Sequence, residues 1–184
     1  IAHLGRPKGK IVPELTLKPL AEKLSSYLNQ DVTFLSESIG LLAIKNSKKI
    51  SNGKVLLLEN LRFHAGEEAN DRNFVEALAS LGDIFVNDAF SAAHRAHAST
   101  EGLAHVLPSA VGRSMEAELQ ALESALENPK RPVMALVGGA KVSSKLEILS
   151  NLVSKVDRLV IGGAMANTFL YALGNDVGMS LCEK

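Results

Sequence analysis

Three arginines stand just after three apolar runs. Arg6 lies in "HLGRPKGK" behind the short apolar start of the chain, Arg62 in "LRFH" behind "KVLLLEN", and Arg95 in "SAAHRAHAST" behind "DIFVNDA". A guanidinium presents a fixed fork of donors that matches a phosphate or a carboxylate. In open parallel sheets, ligands bind beyond the carboxyl ends of the strands. Three arginines at equivalent strand ends therefore point to one anion, and a small phosphorylated acid fits. Each arginine taken singly would serve equally well solvated or paired, and Arg62 has Glu59, Glu67 and Glu68 close by in sequence. Lys8 and Lys10 read as a solvated turn. His94 and His97 could pair on a metal, but no third ligand suggests itself, and hydrogen bonding within the loop is the simpler use. Asp88 reads as a residue that orders its loop through backbone N–H groups.

A second constellation is "VGGAKVSSKLEIL" (137–149). A strand runs into Gly138-Gly139, and a helix is predicted to follow. The glycines would let a ligand approach the backbone, and a helix start favours an anion. Ser144 and Glu147 have capping-box spacing. Lys141 and Lys145 then fall four apart on the first helical turns, where like charges cost roughly 0.2–0.5 kcal/mol and cations oppose the dipole. A bound polyphosphate would reverse both penalties; two solvated lysines are the plainer alternative. No G-x-x-x-x-G-K-[ST] loop and no G-x-G-x-x-G fingerprint occurs. A further turn, Gly162-Gly163, follows the next apolar run and could floor a nucleoside pocket or simply pack a helix on a strand.

The elements that must carry these groups show in the pattern. "DVTFLSE" (31–37), "KVLLLEN" (54–60), "DIFVNDA" (83–89), "VMALVGG" (133–139) and "RLVIGGAM" (158–165) are nearly continuous apolar runs, which predicts strands of a parallel sheet covered on both faces. Between them, Leu17, Leu20, Leu24 and Leu28 repeat at helical spacing. Phe74, Leu78 and Leu81 form another face, with Gly82 as its C-cap. Alternation of strand and helix predicts an α/β fold, a Rossmann-like three-layer sandwich with right-handed crossovers. The stretch 114–132 differs: Leu119, Leu122 and Leu126 form one stripe on an otherwise acidic helix that Asn128-Pro129 should stop. It reads as a connector between a domain at 1–112 and a second, incomplete one at 131–184, with 113–130 as interdomain helix and linker.

Composition narrows the class. The 184 residues carry 20 basic and 20 acidic side chains and only 4% aromatics, which argues against a nucleic-acid groove. No apolar run approaches the roughly 20 residues that span a bilayer, and the N-terminus lacks the pattern of a signal peptide. The single Cys182 excludes an internal disulfide framework and fits a reducing compartment. These features predict a cytoplasmic protein that binds neither nucleic acid nor membrane. The first residue is Ile1, and Ile1-Ala2 reads as the tail of a strand already under way, so the chain is expected to be a fragment.

The strings "HLGRPKG", "LLLENLRFHAGEEAND", "FVNDAFSAAHRAHAST", "VGGAKVSSKLEIL" and "IGGAMANTFL", in this order, resemble the phosphoglycerate kinase family across nearly the whole chain. The resemblance implies a two-domain kinase, monomeric, that transfers a phosphoryl group reversibly between 1,3-bisphosphoglycerate and MgADP to give 3-phosphoglycerate and ATP in glycolysis. It implies substrate binding by His3, Leu4, Gly5, Arg6, Arg62 and Arg95. It implies nucleotide binding by Gly138, Gly139, Ala140, Lys141, Lys145, Gly162 and Gly163, with Lys141 also catalytic and no metal ligand in this chain. The family's V-D-x-N strand and the Arg after it would lie before Ile1, and its G-G-D-T turn and Mg²⁺ acid after Lys184, so this chain alone is expected not to turn over. Two other classes remain from the residues: a non-catalytic module that binds a phosphorylated metabolite, and a nucleotide-dependent oxidoreductase, which should carry the fingerprint absent here.

Overall fold

The computed structural model describes residues 1–127 and 129–183. They form two compact units, Ile1–Ala117 and Glu118–Lys184, with the boundary inside a helix.

In the first unit, helix α1 (Lys18–Leu28) has Pro19 in its first turn, where a missing N–H costs nothing, and ends at Asn29 in a left-handed conformation. The predicted leucine stripe is modified. Leu17, Ala21 and Leu24 face the core, while Leu20 and Leu28 are exposed; Ala21 and Leu24 follow Leu17 by four and seven residues and so line up on one face. Strand β1 (Val32–Leu35) pairs in parallel with β2 (Val55–Leu58), Val32 opposite Val55. Helix α2 (Leu41–Lys49) joins them. Nothing in the apolar pattern marks this helix, because its run Leu41–Ile44 buries only Ala43. Leu57 packs toward Leu17 and Ala21, whereas Leu56 and Leu58 face the other way, into an apolar groove.

After β2 come a tight turn at Leu61–Phe63, helix α3 (Ala65–Glu68) and helix α4 (Arg72–Ala79). Asp71 caps α4 by accepting the Phe74 N–H at 2.9 Å. Helix α4 ends at Ser80, so Gly82 is not its cap; the chain has already left the helix there. Strand β3 (Phe85–Asn87) is followed by helix α5 (Phe90–Ala93), a π-helical turn (Ala98–Gly102), helix α6 (Leu103–Val106) and strand β4 (Ser109–Val111). Strand β4 pairs in parallel with β3; it is short, exposed and only partly apolar, which is why the sequence does not announce it. Leu61, Phe74, Val75, Leu78, Phe85, Ala98 and Leu103 form the main core.

Among the described residues, β2 and β3 each pair with one other strand. An apolar groove of ≈ 370 Å³, lined by Ile1, Leu56, Leu58, Phe85 and Val86 among others, runs between them. Ile1 lines this groove, and the Ala2 carbonyl accepts the Leu61 N–H at 3.2 Å. Helix α7 (Arg113–Leu126) then leaves the unit. Its start is held by Asp88, whose Oδ1 accepts the Met115 N–H at 2.8 Å. Asn128, part of the expected stop signal, lies outside the described residues.

The second unit is one crossover. Strand β5 (Met134–Gly138), helix α8 (Leu146–Val153), strand β6 (Arg158–Gly162) and helix α9 (Gly163–Ala172) follow in order. The strands are parallel, with Gly138 opposite Gly162 at their carboxyl ends. Val142, Leu149 and Met165 close over Val137, Leu159 and Ile161. The opposite face is open: Met134 and Leu136 are 64% and 72% exposed. The continuous apolar run of β5 thus has only one face covered among the described residues. No helix among them is long and apolar enough to cross a membrane.

Candidate functional site

Asn60, at the end of β2, organises the first unit's site. It is 0% exposed. Its Nδ2 donates to the carbonyls of Leu4 (2.8 Å) and Leu15 (2.9 Å), and its Oδ1 accepts the N–H groups of Leu4 (3.3 Å) and Arg62 (3.1 Å). One amide therefore fastens the "HLGR" turn to the Arg62 turn, and an amide is suited to this because it donates and accepts at once. Gly5 sits at φ +64°, and a Cβ there would press on Leu15.

Arg62 is only 5% exposed. Its Nη1 donates to the Gly5 carbonyl at 2.8 Å, and its Nε lies 3.5 Å from the Glu68 carboxylate without a hydrogen-bond partner. Of the three acids near it in sequence, only Glu68 pairs with it. Glu59 instead accepts from Thr16, the Leu17 N–H and the Asn60 N–H, and Glu67 is bonded to Ser99. Arg95 follows α5, with its N–H donating to the Ala92 carbonyl and its own carbonyl accepting the Thr100 hydroxyl.

His3, Leu4, Gly5, Arg6, Arg62 and Arg95 line one open cavity of ≈ 360 Å³ together with Ser91 and Ala92. All six residues expected to bind substrate thus share one pocket. Ser91 and Ala92 were not among them; their only sequence signal is the turn of small residues just before Arg95. Lys8 and Lys10 are exposed outside it. The pocket's electrostatics read out on His3, whose pKa is lowered first by desolvation, then by the Arg62, His97 and Arg95 charges, with Glu68 alone opposing. Positive charge is gathered here in excess of acid, which an anion would relieve. His94 accepts from Arg95 Nε at 3.4 Å, and His97 lies 3.9 Å from Glu67.

In the second unit, the four glycines meet at the carboxyl ends of β5 and β6. A Cβ on Gly163 (φ +65°) would stand 3.3 Å from the Gly139 carbonyl oxygen. One on Gly139 would stand 3.1 Å from the Met165 sulfur and 3.2 Å from Lys145 Cε. Met165 N–H donates to the Gly139 carbonyl at 3.0 Å. The Lys145 side chain therefore lies along the glycine turn, with Ala140 and Lys141 exposed in the loop beside it.

The local structure corrects two sequence expectations. A tight turn at Ser143–Lys145 precedes α8, which begins at Leu146 without a side-chain cap. Ser144 sits inside that turn and donates to the Lys141 carbonyl at 3.1 Å, so the Ser144/Glu147 capping box is not formed. Lys141 lies before the turn, so Lys141 and Lys145 are not helical neighbours, and the like-charge penalty at that spacing does not apply to them. The N–H and hydroxyl of Ser143 are taken by Glu183, whose carboxyl these bonds hold below the usual carboxylate range.

The family model for phosphoglycerate kinase matches residues 1–184. A phosphoglycerate kinase of Rhizobium meliloti is 63% identical over 183 residues, covering 100% of this chain and 46% of the relative. One of Caulobacter vibrioides is 60% identical over 184 residues, with 46% of its length covered. Among solved structures, phosphoglycerate kinase from Coxiella burnetii superposes with a TM-score of 0.84 at 45% identity, over 99% of this chain and 46% of that one. The enzyme from Pyrococcus horikoshii gives 0.79 at 35% identity, over 96% and 45%. The chain spans about half the length of the curated relatives it matches. Its α/β architecture of parallel strand pairs is shared with these structures, and with the family model matched from end to end, this chain belongs to the phosphoglycerate kinase family.

Proposed function

We propose that the chain contributes to reversible phosphoryl transfer between 1,3-bisphosphoglycerate and MgADP, giving 3-phosphoglycerate and ATP. The observation that carries this reading is the cavity in which His3, Arg6, Arg62 and Arg95 converge with a single partial counter-charge, Glu68. In it, Arg62 and Arg95 hold the phosphate of the phosphoglycerate, Arg6 adds charge, and the Leu4-Gly5 backbone lets the ligand come close. The second unit takes the nucleotide: Gly138, Gly139, Gly162 and Gly163 open the strand ends to it, and Lys141 and Lys145 meet its phosphates. Phosphoryl transfer asks mainly for position and charge neutralisation, which cationic side chains provide, and Lys141 is the group closest to that chemistry. Mg²⁺ would arrive on the nucleotide phosphates. In domain terms, 1–112 binds phosphoglycerate, 113–130 connects, and 131–184 begins the nucleotide domain of a monomer that works in the cytoplasm.

Calorimetric titration with 3-phosphoglycerate, with glycerate as the phosphate-free control, tests the reading. Binding that needs the phosphate and vanishes in Arg95→Ala supports it; equal binding of glycerate, or an unaffected Arg95→Ala, refutes it. ATP binding that disappears in Lys145→Ala separates a kinase from a module that binds only a phosphorylated metabolite.

A further inference from the structure

Glu67 is 1% exposed and stands outside the residues that line the arginine pocket. A carboxylate that deep must be hydrogen-bonded, and its partner is 32 residues away. Oε2 accepts the Ser99 N–H at 3.0 Å and Oε1 the Ser99 hydroxyl at 2.5 Å. Ser99 belongs to the π-helical turn, in which the N–H groups of Thr100, Glu101 and Gly102 all converge on the His97 carbonyl. Thr100, itself buried, returns the connection to the arginine: its hydroxyl donates to the Arg95 carbonyl at 2.6 Å. The neighbouring Glu68 faces Arg62 at 3.5 Å. The four residues of α3 are too few to be rigid as an isolated helix, yet their two consecutive carboxylates reach the two arginine-bearing segments of the pocket.

We propose that Glu67 is a positioning residue: through Ser99 it fixes the segment 95–100 and so sets where the Arg95 guanidinium meets an anion relative to Arg62. The inference rests on the reading that these arginines take the substrate phosphate. A carboxylate suits the task because both of its oxygens accept. An amide offers one acceptor and would turn a donor toward the Ser99 hydroxyl, which can rotate to accept it. Glutamine is therefore expected to rescue most of the function, and alanine none.

The test uses the whole chain, with the Nε–Hε resonance of Arg95 as the positional readout and 3-phosphoglycerate as the probe. In Glu67→Ala the heteronuclear NOE of Arg95 should fall to that of the exposed arginines even without ligand. Affinity should drop about ten-fold or more, the equivalent of one or two lost hydrogen bonds to a charged group. Ser99→Ala, which loses only the hydroxyl bond, should weaken binding about ten-fold by the same reckoning, and Glu67→Gln should stay near wild type in both readouts. A lowered melting temperature with the Arg95 signal and the affinity of the folded molecules unchanged would overturn the proposal. If Arg95→Ala itself binds like wild type, the phosphate reading has failed and this inference falls with it. If Arg95→Ala abolishes binding while Glu67→Ala does not weaken it, only the positioning role is lost. Should Glu67→Ala not fold, Ser99→Ala decides by the same two readouts: no change in either overturns the proposal.

Discussion

The substitution Asn60→Asp changes one NH₂ group to an oxygen at a fully buried side chain that fastens two segments of the pocket. The wild-type amide makes four hydrogen bonds, two of them donated to the Leu4 and Leu15 carbonyls at 2.8 and 2.9 Å. In its protonated form the introduced carboxyl can still accept from the Leu4 and Arg62 N–H groups and donate to one carbonyl. It loses one bond and leaves one carbonyl unsatisfied, a cost of about 1–3 kcal/mol. In its ionised form it would turn a negative oxygen on two carbonyl oxygens, so its folded-state pKa must rise above the unfolded value of about 3.9. A raised acid pKa removes stability as pH increases, by about 1.4 kcal/mol per unit until the folded carboxyl ionises. Between pH values of about 4.5 and 6.5 the gap to wild type should therefore widen by roughly 2–3 kcal/mol. Urea unfolding at both pH values, followed on the amide resonances of residues 57–63, measures it. A gap that stays constant across the two would rule out a raised pKa at this position. It would mean that the nearby Arg62 guanidinium, and not the carbonyl pair, governs that position.

Gly112→Ala should destabilise the first unit by about 1–3 kcal/mol in thermal unfolding, because a Cβ there would overlap the Asp88 carboxylate that caps α7. Asp88 has its pKa lowered by the Met115 N–H and by Ser114, so its contribution is present above its unfolded pKa and is lost as pH falls through the depressed folded one; Asp88→Asn should lower the neutral plateau and flatten the acid limb, so that its stability curve converges on the wild-type curve at low pH. His3, whose pKa is lowered by desolvation and then by Arg62, His97 and Arg95, should show a higher pKa when 3-phosphoglycerate is bound, read from its ring Cε1–H by NMR titration; an unmoved pKa at saturation would place the phosphate elsewhere. Gly139→Val should weaken ATP binding more than it lowers the melting temperature, since its side chain would press on Lys145 and Met165 at the strand ends.

The strands that lead into the Arg62 turn and the glycine turns were legible in the sequence because their apolar runs are long and end in charged or glycine residues. Strand β4 and helix α2 were not, since Ser109-Ala110 carries no apolar run and α2 buries little beyond Ala43. The convergence of Arg6, Arg62 and Arg95 could be argued from strand ends alone. That Asn60 fastens two of those segments could not, because its four partners are set by tertiary placement and a buried asparagine looks like any other in a sequence. The reading of residues 141–147 failed for a local reason: a tight turn displaced the helix start by a few residues, enough to take Ser144 out of the capping position and Lys141 out of register with Lys145.

The parallel pairings carry a consequence for how quickly the chain finds its shape. Val32 meets Val55, Phe85 meets Ser109 and Met134 meets Arg158, separations of 23, 24 and 24 residues. Closing loops of such similar length differs in entropy by less than about 0.1 kcal/mol, so chain proximity gives none of the three crossovers a head start. Their order of formation must then follow the apolar surface each can bury while closing. Among the described residues, the Phe85–Ser109 crossover closes onto a core of seven, of which Leu61, Phe74, Val75 and Leu78 come from the chain before it, whereas the core of the second unit has three, Val142, Leu149 and Met165. The arginine pocket, which is built on that larger core, is thus set to mature in the chain before the glycine-lined strand ends do.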